Sequence, residues 1–205
     1  MEKKIRSDKV SEKYRKYINK ILLPGNKYCY ILWGTDLDNE DFDYLLLNEN
    51  KEIIAFKKIK DLLSFVKNTT IDIPDARRMK RWGELYKSNR SYSTYDLRFL
   101  LEILIEDYDA EFYVKEKSRA LEIIDFYNLF SDYSNQSVNR KMLKLQKNKN
   151  LNLFIDYLYM YCFWSKPKET YEQRLRTKVE NINFNELIRI LKEMIFLFTN
   201  QIKIN

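Results

Sequence analysis

A chain of 205 residues that is 45% hydrophobic and 15% aromatic, with 3 Gly and 3 Pro, has the length of one domain and enough apolar side chains for a sizeable core. That balance excludes a disordered linker, a collagen-like chain and a low-complexity protein. A formal net charge of +7 admits a polyanionic partner, whereas the absence of any His removes the commonest general base and metal ligand and argues against most hydrolase mechanisms.

Residues 8–23 place Val10, Tyr14, Tyr17, Ile18, Ile21 and Leu22 at helical spacing, and Pro24-Gly25 stops the run, which predicts an amphipathic first helix. Three short runs rich in aromatic and branched residues follow at 28–33, 42–47 and 52–56 and predict strands. Asn48 and Asn50 between the last two suit a tight connection, so the segment reads as a three-stranded antiparallel meander. Ile59, Leu62, Leu63 and Val66 then recur as one face of a helix that can pack on it.

Helices are expected over 75–86, 94–106, 118–133, 151–164 and 183–200, with Ser118 and Asn183 as N-caps and Glu186 completing a near capping box. The basic connection 134–150 reads as a loop plus a short helix. The expected fold is one α+β domain, its small sheet of about three strands near the N-terminus and the remainder helical, with a subdivision near Thr70 as the alternative. Cys29 and Cys162 lie in apolar runs and read as buried thiols. The charged start has no apolar segment behind it, and the apolar stretch 151–164 is shorter than the roughly 20 residues that span a bilayer, so a cytoplasmic location is expected.

Charge is distributed in blocks. Residues 1–27 carry nine Lys/Arg against three Asp/Glu, and residues 28–56 one against seven; a second acidic block covers 101–133, with three against nine. Like charges grouped in sequence tend to group on the surface and steer association, although solvated helix faces give the same pattern. Asp36, Asp38, Glu40, Asp41 and Asp43 form the densest acidic group. Counting from Asp36, the Gly and the bidentate Glu of a calcium loop would fall on Asp41 and Leu47, so that motif fails. Gly25, Gly34 and Gly83 are isolated from one another, so no phosphate-cradling loop is present. No cofactor and no metal are expected. Arg77, Arg78, Lys80 and Arg81, with Lys87 and Arg90 after them, mix with Trp82, Tyr86 and Tyr92 as a nucleic-acid surface does, while Met79, Trp82 and Tyr86 also form an ordinary core face.

The stretch from Tyr28 through Trp33-Gly34 and the acidic loop to Phe42-Asp43-Tyr44, closing at Ile53-Ile54-Ala55-Phe56, resembles immunity proteins of bacterial polymorphic-toxin and contact-dependent inhibition systems. The resemblance covers about 40 of 205 residues and implies a non-enzymatic cytoplasmic inhibitor that binds a cognate toxin domain. On that reading the interface comprises Trp33, Asp36, Asp38, Glu40, Asp41, Asp43 and Tyr44, with Glu102, Glu106, Asp107, Asp109 and Glu111 of the second acidic block. The alternative is a nucleic-acid-binding protein using Arg77 to Arg90.

Overall fold

The structure, a computed structural model, describes residues 2–39, 41–69, 73–105, 108–164 and 169–205, with the backbone alone at 2–5 and 169. The fold is α+β, largely helical, with a four-stranded sheet near the N-terminus. The chain gathers into two compact units, residues 1–95 with 200–205, and residues 96–199.

In the first unit, helix α1 (Glu2–Tyr14) ends at Arg15, whose φ of +49° turns the chain into strand β1 (Lys16–Leu23). The expected first helix therefore stops well short of Leu23. Ile18, Asn19 and Ile21 are all buried, so β1 shows no polar alternation, and its apolar residues happen to fall at helical intervals. Pro24-Gly25 belongs to a hairpin connection instead of a helix stop: Gly25 and Asn26 take φ of +73° and +57°, and Leu23 pairs with Lys27.

Strand β2 (Lys27–Asp36) pairs antiparallel with β1 and with β3 (Phe42–Leu45), and β5 (Ser93–Asp96) lies beyond β1, giving the order β3-β2-β1-β5. The last strand of the expected meander, β4 (Ile53–Ala55), leaves this sheet and pairs in parallel with β6 (Ile202–Ile204) at the far end of the chain. The hairpin leading into it is present, with Leu47 and Ile53 bridged antiparallel. Asn48 builds its turn by accepting from the backbone N–H groups of Asn50 and Glu52, while the left-handed residue is Lys51 at φ +62°. Helices α2 (Ile59–Asn68) and α3 (Ala76–Leu85) pack on each other, on either side of Thr70, and share a core with Ile18, Leu32, Tyr44 and Phe56 through Leu62, Val66, Met79 and Trp82.

The second unit consists of α4 (Leu97–Ile103), α5 (Ala110–Lys115), α6 (Lys117–Ser137), α7 (Arg140–Gln146), α8 (Lys149–Phe163), α9 (Glu169–Glu180) and α10 (Phe184–Asn200). Its core is aromatic: Phe126 and Tyr133 of α6 meet Phe198 of α10 edge-on at 5.9 Å, and Phe154 of α8 meets Tyr113 and Phe184 at 5.5 and 5.6 Å. The helix expected from Thr94 begins at Leu97, because Asp96 caps it by accepting from the N–H groups of Arg98 and Phe99, both at 3.1 Å. Helix α6 starts one residue ahead of Ser118, so that expected cap is not at the helix boundary. Asn183 does cap, accepting from the Glu186 N–H at 3.1 Å. The spacing predicts neither α5, which has six residues, nor α9, which buries little beyond Leu175 and Val179.

Helix α6 ends on Val138, a β-branched residue held at φ +55° with 68% of its surface exposed. The left-handed conformation costs an L-residue about 1–2 kcal/mol, and here no packing offsets it. Replacing Val138→Gly is expected to stabilise the protein by about 0.5–1 kcal/mol, read as a higher urea midpoint; a lower midpoint would show that this C-cap is not strained. Among the described residues no helix is long and apolar enough to cross a membrane.

Candidate functional site

The described carboxylates of the acidic segment between β2 and β3 all have partners within the protein. Asp36 is only 4% exposed and accepts from the Asp38 N–H at 3.0 Å and the Asn39 side-chain amide at 2.9 Å, so its carboxylate organises the loop and does not face a partner. Asp38 pairs with Arg78 of α3 at 2.8 Å, Asp41 lies 3.6 Å from Arg15, and Asp43 accepts from the Thr35 hydroxyl at 2.6 Å. Tyr44, expected as an aromatic anchor, is fully buried, and Trp33 is half-buried against Tyr17 at 5.5 Å. Glu40, Glu106 and Asp107 lie outside the described residues.

The basic helix is engaged as well. Arg78 is committed to Asp38, and Arg81 to Glu84 at 2.9 Å, so one of the cations proposed for nucleic acid neutralises one of the carboxylates proposed for a protein partner. Arg77 and Lys80 are exposed on α3, and Lys87 and Arg90 are exposed beyond it. Beneath this surface Lys16 is completely buried: its ammonium donates to Asp75 at 2.8 Å, to the Thr35 carbonyl at 2.5 Å and to the Tyr14 carbonyl at 3.1 Å. Tyr44 donates to the other Asp75 oxygen at 2.9 Å. All three ammonium protons are used, so Lys16 serves as a lock between the end of α1, the end of β2 and the start of α3. Burial lowers its pKa while Asp75 opposes the fall, and burial beside Asp75 pushes the Tyr44 phenol upward.

The second acidic block divides in a different way. Glu102 is exposed on α4. Asp109 and Glu111 line a groove bounded by α5, α8 and α9, with a main cavity of about 530 Å³ and an adjoining one of about 190 Å³. Phe112, Tyr157 and Tyr161 supply its aromatic walls; Lys115, Arg176 and Glu180 supply further charge. Phe112 is held rigidly, stacked on Tyr108 with centroids 3.9 Å apart and with the Arg119 guanidinium 4.0 Å from its ring. Asp109 is oriented by capping α5, accepting from the Phe112 N–H at 3.2 Å. Tyr157 is buried and Tyr161 is 39% exposed, their rings 4.8 Å apart, so an i, i+4 pair that reads as core packing presents one ring to the groove.

Of the residues anticipated from the sequence, the groove takes in Asp109 and Glu111. Tyr157, Tyr161 and Arg176 were not among them. Tyr157 and Tyr161 carry the i, i+4 spacing of a core stripe, and Arg176 has no signal beyond its place on α9 between the buried Leu175 and Val179. Among the described residues, no group of three or more Cys, Asp or Glu side chains is placed to hold a metal ion.

The chain's fold is similar to that of the C-terminal domain of SatS, whose crystal structure was determined in complex with bromine. The alignment covers 95% of this chain and 96% of that domain with a TM-score of 0.63, at 11% sequence identity. A likeness at that identity shows the fold alone. No protein-family model and no curated protein matches the sequence.

Proposed function

We propose that this chain is a non-enzymatic cytoplasmic protein that binds a polypeptide partner in the groove between α5, α8 and α9. Its most concrete form is an immunity protein that neutralises a cognate toxin domain. The observation that carries the binding reading is the composition of that groove: rigid aromatic walls rimmed by exposed carboxylates and cations, the pattern of an interface core with a polar rim. The resemblance of residues 28–56 to immunity proteins supplies the class of partner. In the acidic loop that it covers Asp36 is buried, Asp43 is bonded to Thr35 and the aromatic anchor Tyr44 is buried, so among the described residues the groove, with its exposed ring of Tyr161, is the better docking place.

The test is affinity capture from the native organism with and without nuclease, using the wild type and a Tyr161→Ala, Glu111→Lys double variant. One stoichiometric protein that survives nuclease, is lost with the variant and has a toxic activity blocked by this chain is the expected result. Capture that vanishes with nuclease and falls steeply with salt would move the site to Arg77, Lys80, Lys87 and Arg90 and overturn the reading.

A further inference from the structure

Arg176 of α9 reaches into the groove from the protein's own side. Its nearest carboxylate is Glu180, with Nε 3.4 Å from Oε1, and the two side chains are 54% and 64% exposed. Tyr157, Tyr161, Glu111 and Glu180 line the same groove. Among the described residues the groove thus places a guanidinium beside aromatic rings and carboxylates yet holds it by one long, exposed ion pair. Such a pair contributes little, because the side chain remains largely hydrated and must give up rotamer freedom to hold one geometry. The charge balance has the same sense: Asp109, Glu111 and Glu180 face Lys115 and Arg176, leaving the lining one negative charge in excess within a chain of net charge +7.

We propose that the groove is a receptor for an arginine side chain carried by an extended segment of the partner polypeptide, and that Arg176 is its intramolecular stand-in, displaced when the partner binds. This rests on the groove being the polypeptide-binding site proposed above. A guanidinium fits these surroundings better than an ammonium, since it is weakly hydrated, stacks on aromatic faces and bonds a carboxylate through two parallel N–H groups. Arg119 already stacks over Phe112, which leaves the exposed ring of Tyr161 for an incoming guanidinium. The main cavity, about 530 Å³, has the volume for a long side chain and its flanking backbone. Arg176 competes for the Glu180 carboxylate, so it lowers the affinity for the incoming arginine.

The test uses the full chain and a blocked arginine–tyrosine peptide, with the same peptide carrying citrulline in place of arginine, followed by amide chemical shifts and titrated to millimolar concentration. Shifts are expected at residues 109–112, 157–161 and 176–180 with the arginine peptide, and none with citrulline. Arg176→Gln is expected to tighten arginine-peptide binding about two- to fivefold, the size of the exposed ion pairs that it releases, and Glu111→Gln to weaken it by a similar factor. Melting temperatures within a few degrees of wild type would confirm that both variants fold. Weaker binding by Arg176→Gln, equal binding of citrulline, or no arginine-dependent shift would overturn the proposal. The underlying reading fails separately, when the Tyr161→Ala, Glu111→Lys variant still captures the partner.

Discussion

Lys16→Met is expected to destabilise the protein by about 3–5 kcal/mol, a large part of the stability of a domain this size. The substitution keeps the length and the apolar stem of the side chain and removes only the ammonium. It leaves the Asp75 carboxylate, itself wholly buried, without a counter-charge, and strips the Thr35 and Tyr14 carbonyls of their donor. The site cannot relax easily. A Cβ on Gly34 would stand 2.6 Å from Lys16 Cδ and 3.3 Å from the Arg15 carbonyl, so the backbone of β2 already closes over the stem. A second substitution, Asp75→Asn, removes the orphaned charge while keeping an acceptor for the Tyr44 hydroxyl. The double variant is therefore expected to lose less than the sum of the two singles, by about 0.5–3 kcal/mol of coupling. Urea denaturation of the four proteins measures this directly. A loss below about 1 kcal/mol for Lys16→Met would mean that the pair behaves like an exposed surface ion pair and does not fix the loop to α3.

That network explains why the α+β class was legible in the sequence while the placement of the acidic loop was not. Helices with a clear apolar stripe, such as 59–68 and 184–200, follow from spacing alone, and so does Asn183 as a cap. The identity of β1 is hidden, because a strand buried on both faces carries no alternation and Ile18, Ile21 and Leu22 fit either period. The pairing of β4 with β6 joins residues about 150 positions apart, a contact that no local pattern encodes. Charge is the least legible feature of all. Asp38 and Arg78 stand in blocks of opposite sign 40 residues apart, and only the fold shows that they neutralise each other. Lys16 reads as one more surface cation because residue type alone sets no exposure, and its burial shows only in the fold. The groove draws on α5, which is only six residues long, and on α9, which buries little beyond Leu175 and Val179, so of its lining only the charges of Asp109 and Glu111 stood out.

Stability is expected to fall steeply as pH rises from about 9 to 12. Burial in β2 pushes the Cys29 thiol from 9.0 up to about 11, and burial pushes the Tyr86 phenol up to about 12. The phenols of Tyr44, Tyr113 and Tyr157 are raised in the same direction, again chiefly by burial. In each case the folded state holds the neutral form while the unfolded chain ionises at its ordinary value. The contribution is whole below the unfolded pKa and is lost as pH climbs through the folded one, because above about 9 the unfolded state binds fewer protons. For Cys29 alone, a shift of about two units corresponds to about 3 kcal/mol lost by pH 11. Lys16 works against the trend, since burial lowers its pKa more than Asp75 raises it. One group opposes at least five, so the net slope is downward. The measurement is the urea midpoint from pH 8 to 11 for the wild type and Cys29→Ala. The variant begins from a lower midpoint, because it leaves a small cavity, but its midpoint is expected to decline less between pH 9 and 11. Parallel curves for the two proteins would show that the buried thiol does not drive the alkaline loss and would leave it to the tyrosines, whose effect begins nearer pH 10.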